Sequence, residues 1–455
     1  MKIIIAGAGA VGTHLARLLS NDDMDIVLID QDGEKLSKLN QEMDIMTLGV
    51  DPTSINGLRQ AGVESCDLFI ATTPDENENI TCAVIAKQLG AKRTVARVDN
   101  YEFVEDDIKK KFADAGVDHL IYPEKLAAKE IAASAQFSWV RQWWDFDGDL
   151  VLLSLKMHAA FSRGEIECGE NYLIGKTLRE ISQDGHQFHV VAIKRKGETI
   201  IPFGDEKICS RDLVFFMAKR SEIETIRHLA GKDSYPAVKK VMIIGGGKLS
   251  VRADWALPDN ISLKIIEPDM QRCEKLGEQT KARTLIINGD GYDVDLLNDE
   301  GYEKLDAFIA LTENDEENIL ACVAARKNGV KKTIAQVENL AYRDMAEQLD
   351  VGTIINKKVV AASYIYQMML KADVKSVKTL TIANADVAEF IVKEGSAVTK
   401  QKIRDIGIPK GVNIGGVIRK GEGMLVSGDT QLQVDDKVVV FCASSTLKKL
   451  DKYFK

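Results

Sequence analysis

Long apolar runs are absent from this sequence of 455 residues. No stretch approaches the roughly 18–20 apolar residues that a membrane-spanning helix needs. Any membrane role is therefore expected to be peripheral and to depend on a partner protein. The chain begins directly with an apolar strand, so we also expect no signal peptide.

Paired cysteines are missing as well. The seven cysteines are scattered and contain no Cys-x-x-Cys pair, which argues against a disulfide framework and against a zinc site. An odd number of cysteines without a secretion signal fits the reducing cytoplasm. We therefore expect a cytoplasmic protein without structural metal.

Positive charge and catalytic histidine motifs are scarce. The net charge is -9, whereas nucleic-acid-binding domains usually carry a basic face, so no nucleic-acid partner is expected. A dehydrogenase needs a proton donor or acceptor near its nicotinamide, and none of the six histidines lies in a recognisable catalytic motif. His186 and His189 form a His-x-x-His pair without a nearby third ligand. The sequence therefore predicts no catalytic residue and no metal ligand, and we interpret the chain as a non-enzyme.

The sequence does contain an internal duplication with a spacing of about 240 residues. DLFIATTPDENENI at 67–80 matches DAFIALTENDEENI at 306–319, and IIIAGAGAVG at 3–12 matches VMIIGGGKLS at 241–250. In each copy, short apolar strands alternate with amphipathic helices. This alternation predicts two doubly wound, parallel, Rossmann-like α/β sheets.

A long amphipathic stretch follows each sheet, and we predict that both stretches are crossover helices. Their large apolar side chains are too numerous for a helix that lies alone in water. We favour burial against a partner subunit, with burial inside the same chain as the alternative. The side chains expected there are Trp139, Trp143, Trp144, Tyr364 and Met368.

Short strands, glycine turns and one short helix follow each crossover helix and predict a small α+β module. RKGETIIPFGDEKI at 195–208 belongs to the first module, and IRKGEGMLV at 418–426 opens the matching phrase of the second. The chain therefore has the order A-B-A′-B′. The predicted segments are lobe 1 (1–123), a crossover helix (124–146), module 1 (147–220), a linker (221–239), lobe 2 (240–356), a crossover helix (357–374) and module 2 (375–455).

The first glycine turn carries the dinucleotide-binding pattern Gly-x-Gly-x-x-Gly. Gly7 permits the tight bend, Gly9 lets the backbone approach a pyrophosphate, and Gly12 lets the helix pack on the strand. Phosphate would then meet the unpaired N–H groups at the start of the helix. The alternative is a tight turn that holds no ligand. The predicted loop contacts are Gly7, Ala8, Gly9, Ala10, Val11 and Gly12.

Asp30 ends the second strand, where an acid can accept a hydrogen bond from a ribose hydroxyl. Gln31 follows it, and no arginine is adjacent to hold a 2′-phosphate, which favours NAD over NADP. Thr72 and Thr73 end the fourth strand at the ligand-binding edge of such sheets. Arg97 lies in the fifth strand, and two alternative roles are expected for it: a phosphate contact or a structural ion pair.

The second glycine turn departs from the pattern, because Ser250 stands where the third glycine would be. Glu267 takes the position of the ribose-binding acid. We predict a second nucleotide site that prefers another nucleotide or binds more weakly. Its predicted contacts are Gly245, Gly246, Gly247, Lys248, Glu267 and Thr312, with Gln336 in place of the arginine of lobe 1.

The sequence resembles the family of bacterial Trk-type potassium uptake regulators, which are built from tandem RCK/KTN (regulator of potassium conductance) domains. The resemblance covers essentially the whole chain. It rests on GAGAVG with Asp30, on ATTPDENENI at 71–80, on RVDN at 97–100 and on RKGETIIPFGDEKI at 195–208.

The resemblance implies a cytoplasmic regulatory subunit that assembles into a homotetrameric ring, peripheral on the inner face of the cell membrane. The ring would gate a TrkH/TrkG-type potassium-conducting membrane protein. Its cofactor would be NAD(H), with ATP or ADP as alternative nucleotides, and their binding would change the shape of the ring. The rival interpretations are an NAD-dependent oxidoreductase and a nucleotide-sensing scaffold without a channel partner.

Overall fold

The structure is a computed structural model that describes residues 1–20, 24–158, 171–183, 185–369, 374–380, 385–409, 411–443, 446, 450, 453 and 454. Across these residues, no helix combines the length and the hydropathy that a membrane crossing requires. The chain forms two compact units. Unit 1 contains residues 1–126 and 357–370, and unit 2 contains residues 127–356 and 371–455.

Lobe 1 is a six-stranded parallel sheet in unit 1, with the strand order β3-β2-β1-β4-β5-β6. Its central strand is apolar throughout, and Ile3, Ile4 and Ile5 are fully buried because helices cover both faces of the sheet. The strands are β1 (Lys2–Ala6), β2 (Asp25–Asp30), β3 (Met46–Gly49), β4 (Leu68–Ala71), β5 (Thr94–Arg97) and β6 (His119–Ile121). The helices are α1 (Ala10–Ser20), α2 (Gly33–Glu42), α3 (Ile55–Gln60), α4 (Glu76–Gln88) and α5 (Asp106–Asp114).

The first crossover helix is shorter than the sequence predicts. Helix α6 covers Pro123–Ala135, and strand β7 covers Gln142–Asp145, so the helix predicted over 124–146 is wrong beyond Ala135. The residues after the helix are rich in aromatic side chains, which favour strands. Trp143 and Trp144 enter two different apolar clusters, because successive side chains of a strand point to opposite faces of a sheet.

The tryptophans are buried inside the chain rather than left open for a partner subunit. Trp139, Trp143 and Trp144 are 5%, 2% and 9% exposed. For these three residues the predicted subunit interface is therefore wrong, and burial within the same chain is correct. For Tyr364, which is 40% exposed, and for Met368 the interface stays a prediction.

The apolar face of α6 packs on lobe 2 within unit 2. Ala128, Ile131 and Ala135 belong to one buried cluster with Val241 and Ile243 of the second glycine-turn strand. Small side chains on this face let the helix approach the sheet closely. The helix that follows lobe 1 in the sequence therefore completes the core of lobe 2.

Module 1 is a five-stranded antiparallel sheet with the order β10-β9-β11-β8-β7, which fits the predicted α+β class. Helix α8 lies in the segment that was predicted to be a linker. The elements are β8 (Leu150–Lys156), α7 (Leu178–Gln183), β9 (Phe188–Arg195), β10 (Glu198–Ile200), β11 (Leu213–Lys219) and α8 (Ile223–Leu229).

Lobe 2 repeats the topology of lobe 1 in unit 2, with the strand order β14-β13-β12-β15-β16-β17. The two parallel sheets confirm the doubly wound fold expected from the duplication. The strands are β12 (Lys240–Ile244), β13 (Ser262–Glu267), β14 (Leu285–Asn288), β15 (Ala307–Ala310), β16 (Lys332–Gln336) and β17 (Thr353–Ile355). The helices are α9 (Lys248–Ala256), α10 (Met270–Gln279), α11 (Val294–Asp299), α12 (Asp315–Lys327) and α13 (Leu340–Gln348).

The second crossover helix, α14 (Lys357–Met369), packs on α1 within unit 1. Its buried side chains include Val359, Ala362 and Ile365, and Arg93 of lobe 1 donates a hydrogen bond from Nη1 to the Met368 carbonyl at 2.6 Å. The helix that follows lobe 2 therefore covers lobe 1.

Module 2 has the strand order β18-β19-β22-β20-β21, the same connectivity as module 1. The two sheets share an apolar cluster within unit 2, in which Phe215 and Met217 meet Val439 and Phe441. The strands are β18 (Val374–Leu380), β19 (Ala385–Ile391), β20 (Val412–Arg419), β21 (Glu422–Leu425) and β22 (Lys437–Ala443).

The repeated Arg-Lys-Gly-Glu phrase has a structural role in both modules. Arg195 donates to both carboxylate oxygens of Asp212 at 2.9 and 2.8 Å, and Arg419 binds Asp436 in the same way at 2.8 and 2.7 Å. Both aspartates are 1% exposed. Such bidentate pairs fix the turn against the last strand.

Candidate nucleotide-binding sites

The glycines at the ends of the first turn are required by the fold of the protein itself. Gly7 has a φ of +101°, and a Cβ there would lie 2.8 Å from the Thr73 nitrogen. A Cβ on Gly12 would lie 2.0 Å from the Gly7 carbonyl oxygen. Neither position accepts a side chain without a shift of the backbone.

The middle glycines of the two turns are different, because the protein's own atoms do not require them. A Cβ on Gly9 would meet only the Thr72 carbonyl oxygen at 4.0 Å, and a Cβ on Gly247 would meet nothing within 4 Å. A glycine at an open position fits a loop whose backbone is approached by something outside the chain.

Helix α1 begins at Ala10, directly after this open glycine, and α9 begins at Lys248 in the same place of lobe 2. The first N–H groups of a helix have no acceptor within the helix, and the helix dipole adds partial positive charge there. Each turn therefore offers N–H donors and a favourable field for a phosphate.

The carboxylate of Asp30 contacts the glycine turn directly. It accepts hydrogen bonds from the backbone nitrogens of Ala8 at 2.6 Å and Asp32 at 2.9 Å. The side chain is half-buried at the carboxyl end of β2. Asp30, the predicted ribose-binding acid, therefore lies beside the predicted phosphate-binding loop. Its hydrogen bonds hold that loop in place.

The two threonines at the end of β4 use their hydroxyl groups within the chain. Thr72 Oγ1 donates to the Ala6 carbonyl at 3.2 Å, and Thr73 Oγ1 donates to the Asp75 carbonyl at 3.2 Å. Both side chains are buried. They fix the strand end next to the glycine turn, and contact with a nucleotide stays a prediction.

Asn79 is a central residue of this edge that sequence reasoning missed. It is 1% exposed and accepts a hydrogen bond from the Thr73 nitrogen at 2.7 Å. Its amide donates to the Thr73 carbonyl at 2.9 Å and to the Arg97 carbonyl at 3.0 Å. Asn79 therefore ties the ends of β4 and β5 together. The signal was the Asn-Ile pair that both copies contain.

Arg97 forms an ion pair with Asp99, whose carboxylate lies 2.9 Å from Nη2. Its Nε is buried and has no hydrogen-bond partner among the described residues. Glu76 holds the following turn by accepting from the Asp99 and Asn100 nitrogens at 2.8 and 2.7 Å. The structural ion pair is present, and a phosphate contact through the spare donor stays a prediction.

Lobe 2 replaces the third glycine without losing the helix–strand contact. Ser250 is fully buried, and its hydroxyl donates to the Gly245 carbonyl at 2.5 Å. In lobe 1, Thr72 Oγ1 lies 3.5 Å from the matching Gly7 carbonyl oxygen. The counterpart of Thr72 is Leu311, which has no hydroxyl. In lobe 2, the hydroxyl group near this carbonyl therefore belongs to the helix and not to the strand end.

The acid of lobe 2 is more enclosed than Asp30. Glu267 is 2% exposed and accepts from the nitrogens of Gly246 at 2.7 Å and Asp269 at 3.1 Å. Arg272 lies 3.6 Å from the same carboxylate. Gly246 leaves no room for a side chain, because a Cβ there would lie 2.4 Å from Leu276 Cδ1.

An aromatic side chain marks the edge of lobe 2. The Tyr292 hydroxyl lies 3.5 Å from Thr312 Oγ1, and burial raises the pKa of Tyr292. Asn318 repeats the role of Asn79 by donating to the carbonyls of Thr312 at 2.9 Å and Gln336 at 3.0 Å. Lys248 is exposed at the start of α9. Sequence reasoning missed Tyr292, because lobe 1 has a threonine in its place.

Comparison with known protein families finds two kinds of domain, each of which occurs twice in the chain. The family described as the TrkA-N domain matches residues 3–123 and 241–357, and the TrkA-C domain family matches residues 165–231 and 387–455. These matches cover both lobes and most of both modules.

The relatives with similar sequences extend over the whole chain. The Trk system potassium uptake protein TrkA of Vibrio alginolyticus is 32% identical, with 97% of this chain and 95% of the relative covered. The Trk system potassium uptake protein TrkA homolog of Archaeoglobus fulgidus is 29% identical, with both chains covered completely.

Solved structures share the fold at low sequence identity. The GsuK RCK domain is 14% identical with a TM-score of 0.60, and the alignment covers 100% of this chain and 94% of that chain. The GsuK channel bound to NAD is 15% identical with a TM-score of 0.59, and the alignment covers 100% and 78%. The predicted architecture of Rossmann-like lobes with RCK modules is confirmed.

Proposed function

Because the chain belongs to the family of Trk system potassium uptake proteins TrkA, we propose that it is the nucleotide-binding regulatory subunit of such a system. It has no catalytic role of its own. It forms a homotetrameric ring on the inner face of the cell membrane and docks on a TrkH/TrkG-type potassium-conducting protein. Nucleotides that change the shape of the ring then gate that protein.

One observation carries the nucleotide part of this proposal. Gly9 and Gly247 are glycines that the protein's own packing does not require, and each directly precedes the start of a helix, where the first N–H groups have no acceptor within the helix. In lobe 1, the turn and the α1 start would hold the phosphates, and Asp30 would accept from the ribose hydroxyls. NAD(H) fits this arrangement, with ATP and ADP as the alternative nucleotides. GsuK, which shares the fold, is a channel bound to NAD.

The two lobes differ enough to bind different nucleotides. Glu267 is enclosed by Arg272 and Leu276, whereas Asp30 is half-buried. Tyr292 adds an aromatic ring at the edge of lobe 2 that lobe 1 lacks. These differences support a second site with its own preference.

Regulation by nucleotides follows from thermodynamic linkage. A nucleotide shifts the balance between two ring shapes only if it binds one shape more tightly than the other. A coupling free energy of about 1–3 kcal/mol corresponds to roughly 5- to 150-fold control of the channel. Two nucleotides that favour opposite shapes would open and close the same channel.

Asp30→Asn tests the site in lobe 1. The substitution removes the negative charge and keeps the shape of the side chain, so we expect NAD and ADP affinity to fall at least tenfold without unfolding. Isothermal titration calorimetry measures the affinity, with Asp114→Ala on the exposed end of α5 as the control. Unchanged affinity in the Asp30 variant would show that the site is assigned to the wrong residues.

Potassium flux tests the regulatory role. The protein is reconstituted with its potassium-conducting partner in vesicles, and ATP, ADP, NAD and NADH are added in turn. We expect at least two of them to change the flux in opposite directions. NADH turnover with carbonyl substrates would favour an oxidoreductase instead, and failure to co-purify with any potassium transporter would favour a scaffold.

A further inference from the structure

A cavity of about 430 Å³ lies in unit 2, where the sheet of module 1 meets helix α13 of lobe 2. Its volume falls within the range of small-molecule sites. Its wall contains five basic and three acidic residues, although the whole chain has a net charge of -9. The basic residues of the wall are Arg141, Lys156, Lys194, Lys196 and Arg211.

Each of the three acidic residues at this cavity has a basic neighbour. The carboxylate of Asp350 lies 2.5 Å from Arg141 and 2.7 Å from Arg326. These arginines lower the pKa of Asp350 although burial opposes them. Glu347 forms an ion pair with Lys194. Asp344 lies 3.8 Å from Arg343.

Three basic side chains of the wall lack such partners. Lys156, Lys196 and Arg211 form no ion pair and no side-chain hydrogen bond with any of the described residues. Lys196 and Arg211 are exposed at the cavity mouth, and Lys156 is half-buried. Burial lowers the pKa of Lys156. A ligand that carries negative charge would compensate for this burial.

A smaller cavity adjoins the first and shares Arg141 and Lys156 with it. Lys332 reaches this cavity and is 2% exposed. Its ammonium donates to two neutral oxygens, the Val140 carbonyl at 2.6 Å and Thr353 Oγ1 at 3.0 Å. Burial and the nearby arginines lower the pKa of Lys332 well below its usual value. An anion bound beside Lys332 would stabilise the charged form of this lysine, which burial disfavours.

The duplication shows that these basic residues are not a requirement of the module fold. In module 1, Lys156 pairs with Leu213 across the sheet, and in module 2 the matching pair is Ile391 with Lys437. Lys156 therefore corresponds to Ile391. The Arg-Lys-Gly-Glu phrase and the residue before the buried aspartate align likewise, so Lys194 corresponds to Ile418 and Arg211 to Asp435. Module 2 keeps the same topology with apolar or acidic residues at these three positions.

We propose that this cavity binds a small phosphorylated anion with two or more negative charges. Lys156, Lys196 and Arg211 have no acidic partner among the described residues, and each of the three acids of the wall has a basic neighbour, so an anion would neutralise an excess of positive charge. The site joins module 1 to lobe 2, so the anion would stabilise the packing of these two parts. It is distinct from both glycine turns and does not depend on the proposed channel partner.

Calorimetric titration of the full chain with inorganic pyrophosphate at fixed ionic strength tests the proposal. We expect a pyrophosphate site whose affinity is at least tenfold lower in the double variant Lys156→Gln/Arg211→Gln, whereas any pyrophosphate bound at the two glycine turns is unaffected. Lys420→Gln is the matched control, because Lys420 is the exposed module 2 counterpart of Lys196. Its affinity should equal that of the unmodified chain. Thermal unfolding without ligand checks that the variants fold. If the double variant does not fold, Lys196→Gln is tested in its place.

A second titration distinguishes free phosphates from nucleotides. ADP is titrated into the Asp30→Asn chain, whose lobe 1 site is disabled, with and without Lys156→Gln/Arg211→Gln. The lobe 2 site remains in both chains, so loss of one ADP site with the two cavity substitutions identifies a nucleotide as the ligand class. Unchanged ADP binding together with loss of the pyrophosphate site identifies a free phosphate. No pyrophosphate binding to the unmodified chain, or equal affinity in the cavity variant, would overturn the proposal. Neither result bears on the nucleotide site at Asp30.

Discussion

Lobe 1 and lobe 2 have the same strand order, yet they stabilise the same turn with different residues. Lobe 1 combines Gly12 in the helix with Thr72 at the strand end. Lobe 2 combines Ser250 with Leu311, and Ser250 donates to the Gly245 carbonyl at 2.5 Å. A lost glycine in the fingerprint is therefore compensated at a second position. The third glycine of such a pattern reports on packing between helix and strand, and its absence does not exclude a nucleotide site.

The two lobes have equivalent residues where side chains connect the strand ends. They have different residues at the edge where a ligand would bind. Asn79 and Asn318 make equivalent hydrogen bonds to two strand ends. Asp30 and Glu267 differ in burial, and Tyr292 has no aromatic counterpart. The comparison separates the residues of the shared fold from the residues that we propose to set ligand preference.

The largest effect is expected from removing the buried asparagine. Asn79→Ala leaves the Thr73 nitrogen and two carbonyl groups without their partner, so we expect a loss of about 3 kcal/mol or more of stability. Asn318→Ala should cost a similar amount, because its hydrogen bonds are equivalent. Urea unfolding followed by circular dichroism measures both. A clear difference between the two variants would break the equivalence of the lobes.

Gly12→Ser should come next. The added Cβ would lie 2.0 Å from the Gly7 carbonyl and 2.9 Å from Thr72 Oγ1, and such overpacking costs about 1–3 kcal/mol. Adding Thr72→Leu reproduces the pair found in lobe 2 and should recover part of this stability. Urea unfolding followed by circular dichroism measures the stability of the single and the double variant. A double variant less stable than Gly12→Ser would contradict the compensation.

Ser250→Gly should have a smaller effect, because lobe 2 loses one hydrogen bond and no atoms clash. The hydrogen bond is worth about 1 kcal/mol, and a glycine inside a helix costs roughly 0.5–1 kcal/mol more. Leu311→Thr in the same chain returns a hydroxyl to the strand end and should restore part of the loss. No change in the unfolding midpoint of Ser250→Gly would show that its hydroxyl is dispensable.

Tyr292→Phe should have the smallest effect, since it removes one hydroxyl that lies 3.5 Å from Thr312 Oγ1. We expect stability within about 0.5 kcal/mol of the unmodified chain and a few-fold change in nucleotide affinity at lobe 2. Titration in the Asp30→Asn background isolates that lobe. A change in lobe 1 affinity instead would contradict the assignment of Tyr292 to the second site.

Much of the fold could be predicted because its signals are local. The central strands are apolar runs, the glycine turn follows one of them, and the duplication repeats both. The strand formed by Gln142–Asp145 was missed because a run of aromatic residues fits a buried helix as well as a strand that is buried on both faces. Only the packing of the two module sheets resolves that ambiguity.

The candidate site could be predicted where one motif spans it and not where distant residues meet. Gly7, Gly9 and Asp30 follow a known spacing. Asn79 escaped notice because an asparagine early in a helix is ordinarily exposed, and its importance comes from reaching two strand ends at once. The basic cavity could not be predicted, because Lys156, Arg211 and Asp350 come together only through packing.

The sequence by itself determined the duplication, the parallel sheets and the chemistry of the glycine turns, because short-range patterns encode all three. Only the tertiary structure decided which surface each crossover helix covers. Helix α6 follows lobe 1 and packs on lobe 2, and α14 follows lobe 2 and packs on α1 of lobe 1. The physical reason is that an apolar helix face specifies burial but not a partner. The hydrophobic effect is non-directional, so the fit of complete surfaces, distant in sequence, makes the choice.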